Sequence, residues 1–266
     1  MTMSGYLTLT RAEFRRYSRY RLAIAAGILS NCLFALLRGS VFTVAVAGAG
    51  GEIAGYDQSR ATDFVWLGQA LIVPIGLYGW YEVADRVRTG DIAVDFLRPT
   101  DLQLHFWAVD LGRAGFTLLS RGFPVAAIGV LVAGVTLPTN WASYALGALS
   151  LLLAVSVSYM CRLAVNLVAF WTANAGGYLS LYIIVLDLFS GFYLPVHIFP
   201  EWLRVISFCL PFPSMLQAPV DVISGRVTGL DAWWTVLIQV FWLFVTALLA
   251  RMVLRLAGRS LVVQGG

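Results

Sequence analysis

Six stretches of roughly 20 residues, each almost free of charge, recur along this chain, and they restrict its fold more than any other feature. They lie near 22–46, 62–84, 108–136, 142–171, 177–197 and 232–256. In hydrocarbon no water satisfies a free backbone N–H or C=O, so apolar runs of this length cross a bilayer as helices. Composition agrees. Of 266 residues, 59% are hydrophobic and 12% are charged, whereas soluble domains run at about a quarter charged. The expected fold class is an all-α integral membrane protein with six transmembrane helices. An interfacial N-terminal helix precedes them, and a re-entrant helix pair precedes the last.

Residues 1–21 form the first of two predicted regions, and 22–266 form a single six-span domain. The opening segment does not read as a cleaved signal, because Arg15, Arg16, Arg19 and Arg21 crowd the start of the first span. As a helix, residues 6–20 place Tyr6, Leu7, Phe14 and Tyr17 on one face and Arg11, Arg15 and Arg19 in a stripe beside it. That pattern fits a helix lying in the headgroup layer, and equally a basic flank. Arginine also sets the orientation. With the N-terminus inside, thirteen Arg fall on cytoplasmic pieces, and Arg60, Arg204 and Arg226 fall outside. Both termini are then cytoplasmic.

Residues 195–225 fit no span. They are apolar but hold Pro195, Pro200, Pro211, Pro213 and Pro219, five of the nine prolines. Proline removes a backbone donor and clashes with the preceding turn. Two short helices are predicted, one starting at Pro200 with Trp202 on its apolar side, the other starting near Pro213 and ending at Gly225. Broken backbone at membrane depth needs protein or a water-filled cavity around it. Either a re-entrant pair forming an outer gate or an amphipathic loop on the surface meets that condition.

All eighteen basic side chains are Arg, with no Lys. This excludes a P-loop ATPase, a pyridoxal Schiff base and a kinase in this chain, since each needs a Lys. His105 and His197 fall at opposite ends of the spans, no HExxH or GxSxG occurs, and an intramembrane hydrolase is disfavoured. Cys32, Cys161 and Cys209 have no metal or disulfide spacing and read as small apolar residues. The chain needs no cofactor or metal of its own, and its positive charge reflects inner flanks rather than a nucleic-acid surface. A secondary transporter is the alternative, but it would want internal repeats and several midplane ionisable groups, and Asp187 stands nearly alone.

One stretch between the second and third spans, 85–107, is charged and half amphipathic. Within it GDIAVDFLRP (90–99) sets Ile92, Val94, Phe96 and Leu97 among Asp91, Asp95 and Arg98, and Pro99 stops the helix. A part-acidic, part-apolar surface on the inner side suits docking of a soluble protein. A solvated loop is the plainer reading.

The overall pattern resembles an ABC-2 type permease, the membrane subunit of bacterial ABC exporters. GDIAVDFLRP after the second span and LVVQGG (261–266) at the end resemble one six-span branch. The resemblance covers nearly the whole chain and implies the type V (ABCG-like) exporter fold. It implies that Gly90, Asp91, Ile92, Asp95, Phe96, Leu97, Arg98 and Pro99 form the coupling segment on the ATPase. By the same likeness, the helix with Arg11, Phe14, Arg15 and Tyr17 is the connecting helix. It further implies two ATPase subunits that bind ATP and Mg, a second permease, identical or related, and a bacterial inner membrane. The missing Lys fits a subunit that borrows its ATPase.

Three charges lie inside spans. A charge at the bilayer centre costs about 2.5–3.5 kcal/mol on insertion scales. Asp187 is either a buried hydrogen-bonding post or, with Arg121, part of the translocation path or dimer interface. Arg121 either pairs with Asp187 or snorkels toward the inner headgroups, and Arg38 snorkels outward. Asn31, Asn166 and Asn174 read as interhelical glue. The expected cargo is an amphipathic or hydrophobic compound.

Overall fold

A computed structural model describes residues 3–17, 21–78, 81–97, 100–172 and 176–260. These contain helices and no strand. Helix α1 (Met3–Tyr17) precedes α2 (Arg21–Gly48) and α3 (Gln58–Ile75), and the short α4 (Glu82–Thr89) and α5 (Ile92–Leu97) follow. Helix α6 (Leu102–Thr117) continues into α7 (Phe123–Ile128), then come α8 (Trp141–Leu167) and α9 (Gly176–Phe189). The chain closes with α10 (Glu201–Phe208), α11 (Gln217–Ile223) and α12 (Gly229–Arg259).

Four helical stretches are long and apolar enough to cross a membrane: Leu22–Gly48, Leu102–Ala133, Trp141–Phe170 and Gly229–Arg259. Their surroundings differ. The span containing α8 has 72% of its apolar window buried and stands at the centre, while that of α2 has 11% buried and turns its side chains outward. Helix α3 is also central, with Phe64 through Ile72 buried together. The main core joins Trp66, Leu67 and Ile75 of α3 to Ala154 and Val157 of α8 and Leu216 and Val220 beside α11.

The third span is continuous but contains two π turns, at Leu118–Gly122 and Gly129–Ala133. Pro124 explains the first. It has no N–H to offer the regular ladder, so the helix widens and Phe123 donates back to Leu118.

Two predicted spans are shorter than expected. The second, placed at 62–84, stops as a helix at Ile75, where Gly76 takes a left-handed φ of 70° and donates to Ile72 and Val73. The fifth, placed at 177–197, ends at Phe189 after 14 residues. The chain reverses at Gly191 (φ 88°), where a Cβ would meet the Gln217 amide at 2.7 Å. The proline-rich segment forms two short helical pieces, Glu201–Phe208 and Phe212–Ile223, bent by 70° at their junction.

Candidate functional site

The predicted docking segment is a helical hairpin. Helix α4 carries Glu82 and Asp85 in its first turn and Arg86 and Arg88 in its last, matching the helix dipole at both ends. Gly90 (φ 83°) turns the chain into α5. Arg86 locks the two helices, with its Nε and Nη2 both 2.6 Å from Asp95 Oδ2. Ile92, 2% exposed, enters a core with Val83, Phe106, Tyr159 and Leu254. Phe96 stacks edge-on to Phe170 at 6.4 Å and packs over Gly258, where a Cβ would be 3.2 Å from its ring.

The predicted coupling residues therefore divide. Ile92, Asp95 and Phe96 face the protein, and Asp95 is engaged by Arg86 rather than presented. Gly90, Asp91, Val94 and Leu97 face outward, with Leu97 84% exposed and Asp91 accepting from Thr89 at 2.9 Å. Arg98 and Pro99, like the terminal LVVQGG and Asn174, lie outside the described residues, as does the Tyr17 side chain. Helix α1, the predicted connecting helix, packs on α6. Thr10 donates to the Ala108 carbonyl at 2.9 Å, and Phe14 meets Phe116 edge-on at 5.4 Å. Gly112 permits the close approach, since a Cβ there would overlap the Thr10 carbonyl. Arg11 and Arg15 stay exposed.

Behind the hairpin lies a buried charge junction. Asp110 accepts from Arg113 at 2.8 Å and from Arg162 at 2.9 Å, and its side chain is fully buried. Two guanidiniums facing one carboxylate need further acceptors. The broken end of α3 supplies them: Arg113 donates to the carbonyls of Val73 at 2.8 Å and Pro74 at 3.2 Å. Cations at a helix C-terminus also complement its dipole. Gly76 is needed here twice, for its positive φ and because a Cβ would sit 2.5 Å from Arg113 Nη2 and 3.0 Å from Arg162 Nη2.

The junction reaches the hairpin by polar bonds. Asn166 accepts from the Ala84 N–H of α4 at 3.2 Å and donates to the Arg162 carbonyl at 2.7 Å. Asn31 likewise donates to the Gln69 carbonyl at 3.3 Å, bridging α2 and α3. At the start of α6, Asp101 caps the helix by accepting from Leu104 N and pairs with Arg251 of α12 at 2.5 Å. One connected framework thus ties α3, α4, α6, α8 and α12.

Asp187 and Arg121 do not pair with each other. Asp187 accepts from the hydroxyls of Tyr78 at 2.6 Å and Tyr193 at 3.4 Å. Arg121 does not meet it. Its guanidinium crosses to α2, donates to the Ala23 carbonyl at 2.9 Å and covers Gly27, whose missing side chain makes the room. Arg38 stacks over Phe192 at 4.3 Å and donates to the Tyr193 carbonyl at 3.5 Å.

At the opposite end from the hairpin, the bent helix pair is fastened by a second polar cluster. Asp221 of α11 lies 3.0 Å from His197 and accepts from Gln217 at 2.9 Å and Tyr56 at 3.5 Å. Burial, reinforced by the Asp221 charge, pushes the Tyr56 hydroxyl well above the usual phenol range, so it stays a donor. Among the predicted gate residues, Pro200 precedes the first turn of α10, Pro211 and Pro213 shape the turn between the pieces, and Pro219 is buried in α11. Trp202 is 66% exposed.

Sequence reading missed both clusters. Arg113 and Arg162 read as inner flanks. The one available signal was Asp110 and Arg113 at i, i+3 at the start of a predicted span. Nothing local connects Tyr56 to Asp221, 165 residues apart.

Several long apolar helices around a polar framework that fastens a charged surface hairpin define a multi-pass membrane protein of permease type. Residues 36–265 match the family described as ABC-2 family transporter protein, and the chain belongs to that family. It is a permease component of an ABC transporter, a transport subunit rather than a catalytic one. No curated protein matches it significantly.

Proposed function

We propose that this chain is the membrane half of an ATP-driven exporter of amphipathic or hydrophobic compounds in a bacterial inner membrane. On this reading α3 and α9 complete six crossings, and the bent α10–α11 pair enters from the outer side as a re-entrant gate. Both termini and the α4–α5 hairpin are cytoplasmic. A second permease, identical or related, forms the other half of the path, and two ATPase subunits bind the ATP and Mg. On the same reading Asp187, held by Tyr78 and Tyr193, belongs to that path or to the permease–permease interface.

The observation that carries the reading is the hairpin: an apolar and acidic face is exposed on its outside while its inside is bolted to the core. The family supplies the kind of partner, and a chain without Lys has no P-loop of its own. ATPase closure pushes on Gly90, Asp91, Val94 and Leu97. The Arg86–Asp95 lock carries the push into α4, and Asn166 and the Asp110 junction carry it to α3 and α8.

Substituting Leu97→Asp tests this. Burying a Leu contributes about 1.5–3 kcal/mol, so ATPase affinity should fall about tenfold or more while the permease keeps its melting midpoint. Co-purification of a partner ATPase at wild-type yield with L97D, and unchanged ATP turnover, would remove the hairpin as the docking site. Proton- or sodium-driven flux from the permease alone would favour a secondary transporter.

A further inference from the structure

At the end of the molecule away from the hairpin, the loop before α3, the start of α3 and the end of α11 enclose a polar cavity of about 210 Å³. At about 30 Å³ per water this is roughly seven water volumes. Arg60, Arg226, Asp63 and Asp221 line it, with Tyr56 among its walls. The two carboxylates are occupied. Asp63 accepts from the backbone N–H of Thr136 at 2.8 Å and from its hydroxyl at 2.5 Å. Both Asp221 oxygens accept from Gln217, and Oδ2 also faces His197.

The two guanidiniums are not occupied to the same degree. Arg226 stacks on Tyr56 at 4.5 Å, reaches the Ala54 carbonyl only at 3.4 Å and stands 3.7 Å from Asp221. Its Nε is buried with no hydrogen-bond partner among the described residues. A guanidinium has five donors, and a buried one left unmatched is costly. Arg60 donates to the next carbonyl, Gly55, at 3.0 Å. Both arginines therefore converge on the Ala54–Gly55 loop, where Ala54 is the one described non-glycine residue with positive φ (50°). Strained backbone of this kind persists where surrounding structure holds it, often at ligand sites.

We propose that this cavity binds a small oxyanion, a phosphate or carboxylate group, held between the Arg226 and Arg60 guanidiniums. Guanidinium forks match the paired oxygens of such groups. Acid and base cancel in the cavity walls, so the affinity is modest, on the order of 1 mM. The group reaches the cavity either as a free anion or as the headgroup of a lipid in the adjacent leaflet. This site is separate from the docking hairpin.

The test uses the full chain in phosphatidylcholine nanodiscs. Inorganic phosphate is titrated against chloride at matched ionic strength, and 31P line broadening and the melting midpoint are followed. Saturable, phosphate-specific broadening with parallel stabilisation is expected. R60Q should weaken it about tenfold, and R226K, which keeps the charge but loses the fork, should also weaken it. Arg60 is exposed, so R60Q answers the question even where an Arg226 variant does not fold. Broadening that never saturates, that chloride reproduces, or that R60Q and R226K leave unchanged overturns the site. Exchange into phosphatidylglycerol then names the source: a headgroup occupant suppresses the phosphate effect, a free anion does not, and either result upholds the site.

Discussion

The two polar clusters, one behind the hairpin and one at the far end, are built from similar side chains under opposite rules. At the hairpin end Asp110 is fully buried between Arg113 and Arg162, both of its own bonds are short at 2.8 and 2.9 Å, and the neighbouring void is about 10 Å³, room for no more than one water. At the far end Asp221 is surrounded by His197, Gln217, Tyr56 and Arg226 at distances from 2.9 to 3.7 Å beside a 210 Å³ cavity. The first arrangement resists any change of distance. The second tolerates it. On the proposed function, a machine pushed at one end and opened at the other needs that asymmetry: a stiff coupling where force enters and slack where the path must rearrange.

The same substitution at both centres tests the contrast most strongly. Asp110→Asn leaves two buried guanidiniums without a counter-charge, and breaking a buried pair costs about 3–5 kcal/mol. The folded yield in detergent should collapse, or the melting midpoint should drop by many degrees. If D110N melts like the wild type, the junction is no stiff coupling. Next in size is Gly76→Ala. Left-handed backbone costs a non-glycine residue about 1–2 kcal/mol, and the methyl overlaps Arg113 Nη2, adding a further overpacking term of about 1–3 kcal/mol. A G76A chain as stable as its parent would mean that the Arg113 fork can leave the end of α3 freely.

How much of this was written in the sequence depends on distance along the chain. Helices α2 and α12 end within a few residues of expectation because their apolar windows are uniform and the bilayer fixes their length. The amphipathic pattern of α1 was legible too, although its Phe14 packs on Phe116 near the end of α6, which the sequence did not announce. The hairpin segment was visible as a charged island, but not which way each side chain points. Asp91 and Asp95 look equivalent in GDIAVDFLRP, yet Asp91 precedes α5 and accepts from Thr89, while Asp95 lies inside the helix and meets Arg86. The α3 break was masked because Pro74 and Gly76 sit inside an apolar run. Their meaning appears only when Arg113 and Arg162, from two later helices, arrive at the freed carbonyls. The far cluster was silent for the same reason.

Asp221→Asn should cost less than either change at the junction, about 1–3 kcal/mol, because its neighbours keep some solvent and alternative partners. If the bent pair is the gate proposed above, transport or cargo-stimulated ATP turnover should shift more than the melting midpoint. A loss of stability equal to that of D110N would erase the distinction between a stiff end and a slack one.

The smallest expected effect is at Arg121. Its single described hydrogen bond, to the Ala23 carbonyl, is exposed, and an ordinary hydrogen bond contributes about 0.5–1.5 kcal/mol net. Arg121→Gln should therefore move the melting midpoint little. Gly27 makes the prediction sharper. A Cβ there would stand 2.6 Å from the guanidinium, so Gly27→Ala should destabilise the wild type but not the R121Q background. Equal costs of G27A in both backgrounds, in a double-mutant cycle, would show that the guanidinium does not rest on α2. It would also reopen the pairing with Asp187 that the structure replaces with Tyr78 and Tyr193.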